Sequence, residues 1–185
     1  MKIAIITHAF FPNGLASTNR VIYHAKGLKK NGIETKIFIT LPTENRKAVK
    51  NTLTAGEIYG IPYQYMWNTT IRSKYFIGRR IHDIFSPIKT AFAIRKEKYK
   101  TVMLISFCSY TVLFILKLFF LIFRIKFIVE RTELPKTQNG WLQLKNRLMV
   151  KFVFKKLYGF LTISRSLQKH YSQFVSKNCP VHLVP

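Results

Sequence analysis

The stretch KIAIITHAFFPNGLASTNRVIYHAKGLKKNGIETKIFIT, Lys2 to Thr40, decides the fold. Its two ends, KIAIIT and TKIFIT, are nearly continuous apolar runs of strand length, the pattern of strands covered on both faces by helices. Between them, Pro12-Asn13-Gly14 reads as a turn. Ser17 and Thr18 are suitable N-caps, and Val21, Ile22, Ala25 and Leu28 follow at helical spacing. Lys29 and Lys30 then occupy the last helical turn and Gly32 stands just beyond it, as a helix C-terminus favours. The segment predicts a strand, a crossover helix and a second, parallel strand.

Working outward, strand-length apolar runs recur at Ile58–Met66, Thr101–Phe107, Lys126–Val129, Gly159–Ile163 and Val181–Val184, with helical stretches between most of them. That alternation predicts a Rossmann-like, doubly wound α/β fold with a parallel sheet flanked by helices. Residues 41–57, LPTENRKAVKNTLTAGE, read as a polar surface excursion. A basic amphipathic helical region, Ser73 to Lys100, carries Ile77, Ile81, Ile84 and Phe85 and is expected to break at Ser86-Pro87. Val102 to Phe123 approaches the roughly 20 apolar residues of a membrane span. Inside it TVMLIS is strand-like, FCSY breaks the pattern and TVLFILKLFFLIF is helix-length, which favours a buried strand followed by an apolar helix over a transmembrane segment. No repeat or composition shift divides the chain, so residues 1–185 are expected to form a single domain.

Charge is the most unusual bulk property: 31 Lys+Arg against 7 Asp+Glu, a formal +24. An anionic partner is expected, and nucleic acid, an anionic membrane surface and phosphorylated small molecules all fit. Nucleic acid is disfavoured, because no RNP motif, KH loop, zinc finger or recognition helix is evident. Cys108 and Cys179 stand far apart with no C-x-x-C spacing, and the five histidines show no metal-ligand spacing, so neither a disulfide framework nor a metal site is expected. The amino terminus has no small-residue cleavage site and reads as a buried strand, not a secretion signal.

Two segments carry candidate chemistry. At the first strand-to-helix junction, Asn13, Gly14, Ser17 and Thr18 lie where backbone N–H groups and the helix dipole favour a phosphate or carboxylate, with Arg20 able to add a cation. The second is VERTELP. Strand Ile128-Val129 should deliver Glu130, Arg131, Thr132 and Glu133 to the same carboxyl edge of the sheet, and two of the seven acidic residues fall here within four positions. A site role for this pair competes with a structural ion pair. Arg131 suits bidentate capture of an anion, and Glu130 or Glu133 could orient a hydroxyl. Ser106 and Ser109 end another strand and are weaker acceptor contacts or helix caps. The basic segment Trp141 to Leu157, with Leu144, Leu148 and Phe152 among Lys145, Arg147, Lys151, Lys155 and Lys156, fits either a core-facing helix or one lying on an anionic membrane.

Taken in order, KIAIIT, FFPNGLASTNR, the helix, IETKIFIT, TVMLISF, KFIVERTELP, LYGFLTISRSLQKHYSQF and CPVHLVP resemble the amino-terminal half of family-4 glycosyltransferases, which have the two-domain GT-B architecture. The resemblance implies an acceptor-side domain of a retaining transferase that takes a nucleotide-sugar as donor substrate and needs no cofactor or metal. It implies work on cell-surface polysaccharide or lipid-linked glycans, in a cytoplasmic protein peripheral to the inner face of a bacterial membrane. In that family CPVHLVP runs on into an Asn-Gly pair and a carboxyl-terminal, donor-binding domain, so the chain is expected to lack that domain, to be incomplete for catalysis alone, and to have a separate donor-binding half as a partner. The family's first loop usually carries two adjacent glycines; here Leu15 and Ala16 stand near that place and only Gly14 remains. Where its second loop often carries a His near the donor sugar, this chain has Arg131. By this reading Glu130, Arg131 and Glu133 are the catalytic candidates, and Asn13, Gly14, Ser17, Thr18, Arg20 and Ser109 bind substrate. The competing class is a non-catalytic basic module that docks on a membrane surface or a protein partner.

Overall fold

The computed structural model describes residues 1–106, 110–133 and 150–184. Its elements are β1 (Lys2–Thr7), α1 (Ala16–Lys30), β2 (Glu34–Ile39), β3 (Ala55–Ile58), β4 (Ile61–Tyr65), α2 (Phe76–Lys96), β5 (Thr101–Ile105), α3 (Tyr110–Ile122), β6 (Lys126–Arg131), β7 (Gly159–Thr162), α4 (Arg165–Ser172) and β8 (Val181–Leu183). Residues 150–154 are also helical. Eight strands form one sheet in the order β3-β4-β2-β1-β5-β6-β7-β8, parallel throughout except for the β3–β4 pair. The doubly wound α/β expectation is met.

Alternation along β1 splits the core in two. Ile3 and Ile5, with Ile37 and Ile39 of β2, face Val21 and Ala25 of α1. Ala4 and Ile6 face the other way, toward Ala91 and Ile94 of α2 and Leu113 and Leu116 of α3. The strand order changes direction between β1 and β5, from which the chain moves to β2 on one side and to β6 on the other, and the crevice beyond their carboxyl ends is where open α/β sheets bind ligands.

Four expectations need correction or refinement. First, residues 41–57 are not simply a surface excursion. Their last three residues open β3, which is joined to β4 by a two-residue turn in which Tyr59 (φ 52°) and Gly60 (φ 69°) both adopt positive φ, so the expected single strand Ile58–Met66 is instead β4 preceded by the turn of a tight hairpin. Second, α2 does not break at Pro87. It runs unbroken through that residue, with the Thr90 hydroxyl donating to the Ser86 carbonyl at 2.7 Å and the Trp67 indole donating to Ser86 Oγ. Third, neither Ser17 nor Thr18 caps α1. The helix opens at Leu15, whose carbonyl accepts from the amides of Thr18 and Asn19. Fourth, β6 continues two residues past Val129, with consequences for the site.

The apolar run Val102–Phe123 resolves into β5 and the 13-residue α3, and among the described residues no helix is long and apolar enough to cross a membrane. Lys117, its one charge, is buried and donates to the carbonyls of Phe152 (2.5 Å), Val153 (2.8 Å) and Lys155. Those carbonyls end the helical stretch 150–154, so the ammonium acts as its C-terminal cap.

Candidate functional site

The loop from His8 to Leu15 leaves β1 at the crevice. It is held from below by side chains that arrive from residues 43–70. The Tyr65 hydroxyl donates to the Phe11 carbonyl at 2.7 Å and lies 3.2 Å from the Phe11 amide. Asn51 pairs with Asn13 like a strand partner: its Oδ1 accepts from the Asn13 amide at 2.8 Å and its Nδ2 donates to the Asn13 carbonyl at 3.0 Å. Asn51 is fixed in turn by Glu44, which accepts from Asn51 Nδ2 at 2.6 Å and from the Lys50 amide at 2.8 Å. Both Glu44 and Asn51 are buried, so this network is satisfied internally and makes the loop rigid.

At the loop's far end the Thr18 hydroxyl donates to the Phe10 carbonyl at 2.5 Å. Gly14 sits against that bond: a Cβ built there collides with Thr18 Oγ1 and with the Phe10 oxygen. The glycine is therefore required by close packing within the loop, and its φ needs no left-handed backbone. Asn13 and Gly14 remain exposed, Ser17 is half-buried and Thr18 is buried.

His8 closes β1. Burial, aided by the nearby charge of Arg72, lowers its pKa to about 4, so the imidazole is neutral at physiological pH.

The second segment divides between two faces. Because β6 runs through Arg131, the two-residue period sends neighbouring side chains to opposite sides of the sheet. Glu130 points toward α1 and is fully buried, its Oε1 meeting Arg20 Nη1 at 3.0 Å and His24 Nε2 at 3.2 Å. Its Oε2 has no hydrogen-bond partner. Arg131 points to the α3 and α4 side, where its guanidinium lies over the Tyr110 ring at 4.9 Å and bonds with Tyr171. Burial, countered in part by Arg131, pushes Tyr171 up to about 12, and its hydroxyl donates to the Glu133 carbonyl at 2.9 Å. Glu133 itself is exposed beyond the strand. Glu130 and Arg131 thus stand inside the strand, one on each face, instead of reaching the carboxyl edge together.

The Arg20–Glu130 contact joins the two predicted segments across 110 residues of chain. Arg20 and His24 also line a groove of about 660 Å³ between α1 and the sheet, floored in part by Met103 and Val184. Ser109, and residues 141–149 of the expected basic helix, lie outside the described residues. Among the described residues no group of three or more His, Cys, Asp or Glu side chains is placed to hold a metal ion.

Two solved structures match the fold over the whole chain. Sucrose-phosphate synthase from Thermosynechococcus elongatus matches with a TM-score of 0.70 at 12% identity, and the match covers 47% of that chain. A second sucrose-phosphate synthase structure from the same organism matches with a TM-score of 0.61, also at 12% identity, covering 88% of its chain. The fold is that of a GT-B glycosyltransferase domain. At this identity the likeness speaks to fold alone, and the chain spans about half the length of the first structure. Scans against protein-family models and among curated proteins found no match.

The clamp formed by Glu44, Asn51 and Tyr65 was not legible in the sequence. The one available signal was Glu44, an acidic residue in a chain that has only seven, set inside an otherwise unpatterned polar stretch.

Proposed function

We propose that the chain is the acceptor-side domain of a nucleotide-sugar-dependent glycosyltransferase acting on polysaccharide or lipid-linked glycans at the cytoplasmic face of a membrane, with the donor nucleotide held by a second domain or partner half. One observation carries the reading: beside the switch point between β1 and β5 of a GT-B-type sheet, the first turns of α1, which follow the loop after β1, are tied to the end of β6 through Arg20 and Glu130. Chemically, such a transfer needs an acceptor hydroxyl oriented toward the sugar and stabilisation of the charge growing on the departing diphosphate. The exposed side chain of Asn13, the half-buried hydroxyl of Ser17 and the exposed carboxylate of Glu133 are the groups available to an acceptor. Glu130 and Arg131 act as positioning residues, because both are engaged inside the fold. No metal is called for in this scheme, since helix N-termini and basic side chains serve the diphosphate.

A second reading is favoured by the burial of Glu130. With one carboxylate oxygen already committed to Arg20 and His24, the domain could serve as a non-catalytic basic module on a membrane surface or a protein partner.

Two titrations of the 185-residue chain separate these readings. Calorimetry with UDP- and GDP-sugars should give no saturable heat, since the donor site is assigned elsewhere; tight binding would falsify the acceptor-side assignment. Titration with a short-chain polyprenyl-diphosphate sugar should shift amide NMR signals of residues 13–20 and 132–133. Shifts confined to other surfaces, or none at all, favour the non-catalytic module.

A further inference from the structure

Helix α2 has two apolar sides where a surface helix normally has one. Pro87, Thr90, Ala91 and Ile94 face the core. On the opposite side Ile77, Ile81, Ile84, Phe85 and Phe92 are 45–72% exposed at spacings of three, four and seven residues, one continuous stripe along the helix. The stripe does not end with the helix. Phe92 packs on Phe119 and Phe123 at ring distances of 5.6 and 5.4 Å, and next to them α3 exposes Leu118, Leu121 and Ile122. A contiguous apolar patch of this kind marks an interaction surface.

Its rim identifies the partner. Lys74, Arg80, Lys89, Lys96 and Arg124 are all exposed around the stripe. Between residues 74 and 126 the only acidic residues are Asp83 and Glu97, and each already faces a cation, Arg80 at 3.2 Å and Lys36 at 2.6 Å. Apolar side chains flanked by lysine and arginine, of which only Arg80 faces a carboxylate among the described residues, fit the boundary between acyl chains and anionic headgroups. A second copy of this chain would bring two such cationic rims together, each on a molecule of +24.

We infer that the outer face of α2 and α3 is a docking surface for an anionic lipid bilayer. This deepens the membrane-surface part of the reading above and does not depend on catalysis. It also sets an orientation: α2 begins just after β4, at the carboxyl end of the strands, so Ile77 lies at the crevice end of the stripe. A lipid-anchored acceptor would then reach the crevice along the bilayer surface.

The test is flotation of the intact chain with phosphatidylcholine vesicles, with and without phosphatidylglycerol. Binding is expected with the anionic vesicles and to weaken by about ten-fold or more in the exposed-face variant Ile77→Glu/Ile84→Glu/Phe85→Glu. Lys89→Gln/Lys96→Gln should keep the fold, bind less and lose part of its salt sensitivity. Leu53→Glu, an exposed change on a different segment, should bind as wild type. Unchanged binding by the triple variant, failure of the wild type to float with anionic vesicles, or a dimer that only the triple variant dissolves would each overturn the proposal. The nucleotide-sugar titration is scored separately, so a failed transferase reading and a failed docking surface give different results.

Discussion

At the scale of single residues, the loop over the crevice is held by buried side chains, Glu44 pairing with Asn51 and Asn51 with the backbone of Asn13. His8 shows the consequence for pH. Its folded-state pKa, near 4, lies below the ordinary 6.5, so between those values the unfolded chain takes up a proton that the folded chain refuses. Stability contributed by the neutral imidazole is therefore present above pH 6.5 and lost as pH falls toward 4, an effect of about 3 kcal/mol in full. Denaturant midpoints measured at pH 7, 5 and 4 should fall more steeply for the wild type than for His8→Asn, and parallel slopes would remove His8 from the account. Little of this was visible beforehand: a histidine ending a strand is readable as such, but the packing around its ring and the approach of Arg72 are products of the fold. The same holds for Gly14. Its place in the loop was legible, whereas its reason, the space taken by the Thr18 hydroxyl on its way to Phe10, was not.

At the scale of elements, β1, α1 and β2 were legible because continuous apolar runs and a 3.6-residue period leave few alternatives over that length. β4 was legible within the run Ile58–Met66, but its hairpin partner β3 was not, since Ala55–Ile58 is a mostly exposed edge strand with no apolar alternation to betray it. Lys117 is the instructive case: in the sequence it interrupts an apolar run, and in the fold it caps another helix. Burial, with help from Lys156 and Lys155, lowers its pKa to about 8. Replacement by Met leaves three carbonyls at the end of 150–154 without their donor, an expected loss of about 2 kcal/mol at pH 7. Because the folded pKa lies below the unfolded 10.5, the wild type also gains stability relative to Lys117→Met as pH rises from 8 toward 10.5. Chemical denaturation of the pair at pH 7 and pH 9.5 checks both parts; a gap that narrows at the higher pH contradicts the linkage.

At the scale of the whole molecule, the sheet's two halves are joined on the α1 side by a short chain of contacts. Helix α1 covers β1 and β2, and the groove beside it leaves the β5–β8 side less covered, so Arg20 and His24 reaching Glu130 is the polar tie between α1 and β6. No pattern in the sequence could pair residues more than one hundred positions apart, which is why VERTELP read as a site on its own terms. The tie and a catalytic role make opposite forecasts. If Glu130 is a positioning residue, Glu130→Ala lowers stability by about 2 kcal/mol, less than the loss of a fully buried pair because Arg20 can turn to water. Amide exchange in α1 and β6 should then speed up together in that variant. Glu133→Ala, at an exposed position, should leave both stability and exchange unchanged while altering any acceptor-induced NMR shifts. If instead Glu130→Ala is as stable as wild type and only the acceptor response is lost, Glu130 belongs to the reacting site and the tie between the halves must be carried by apolar packing alone.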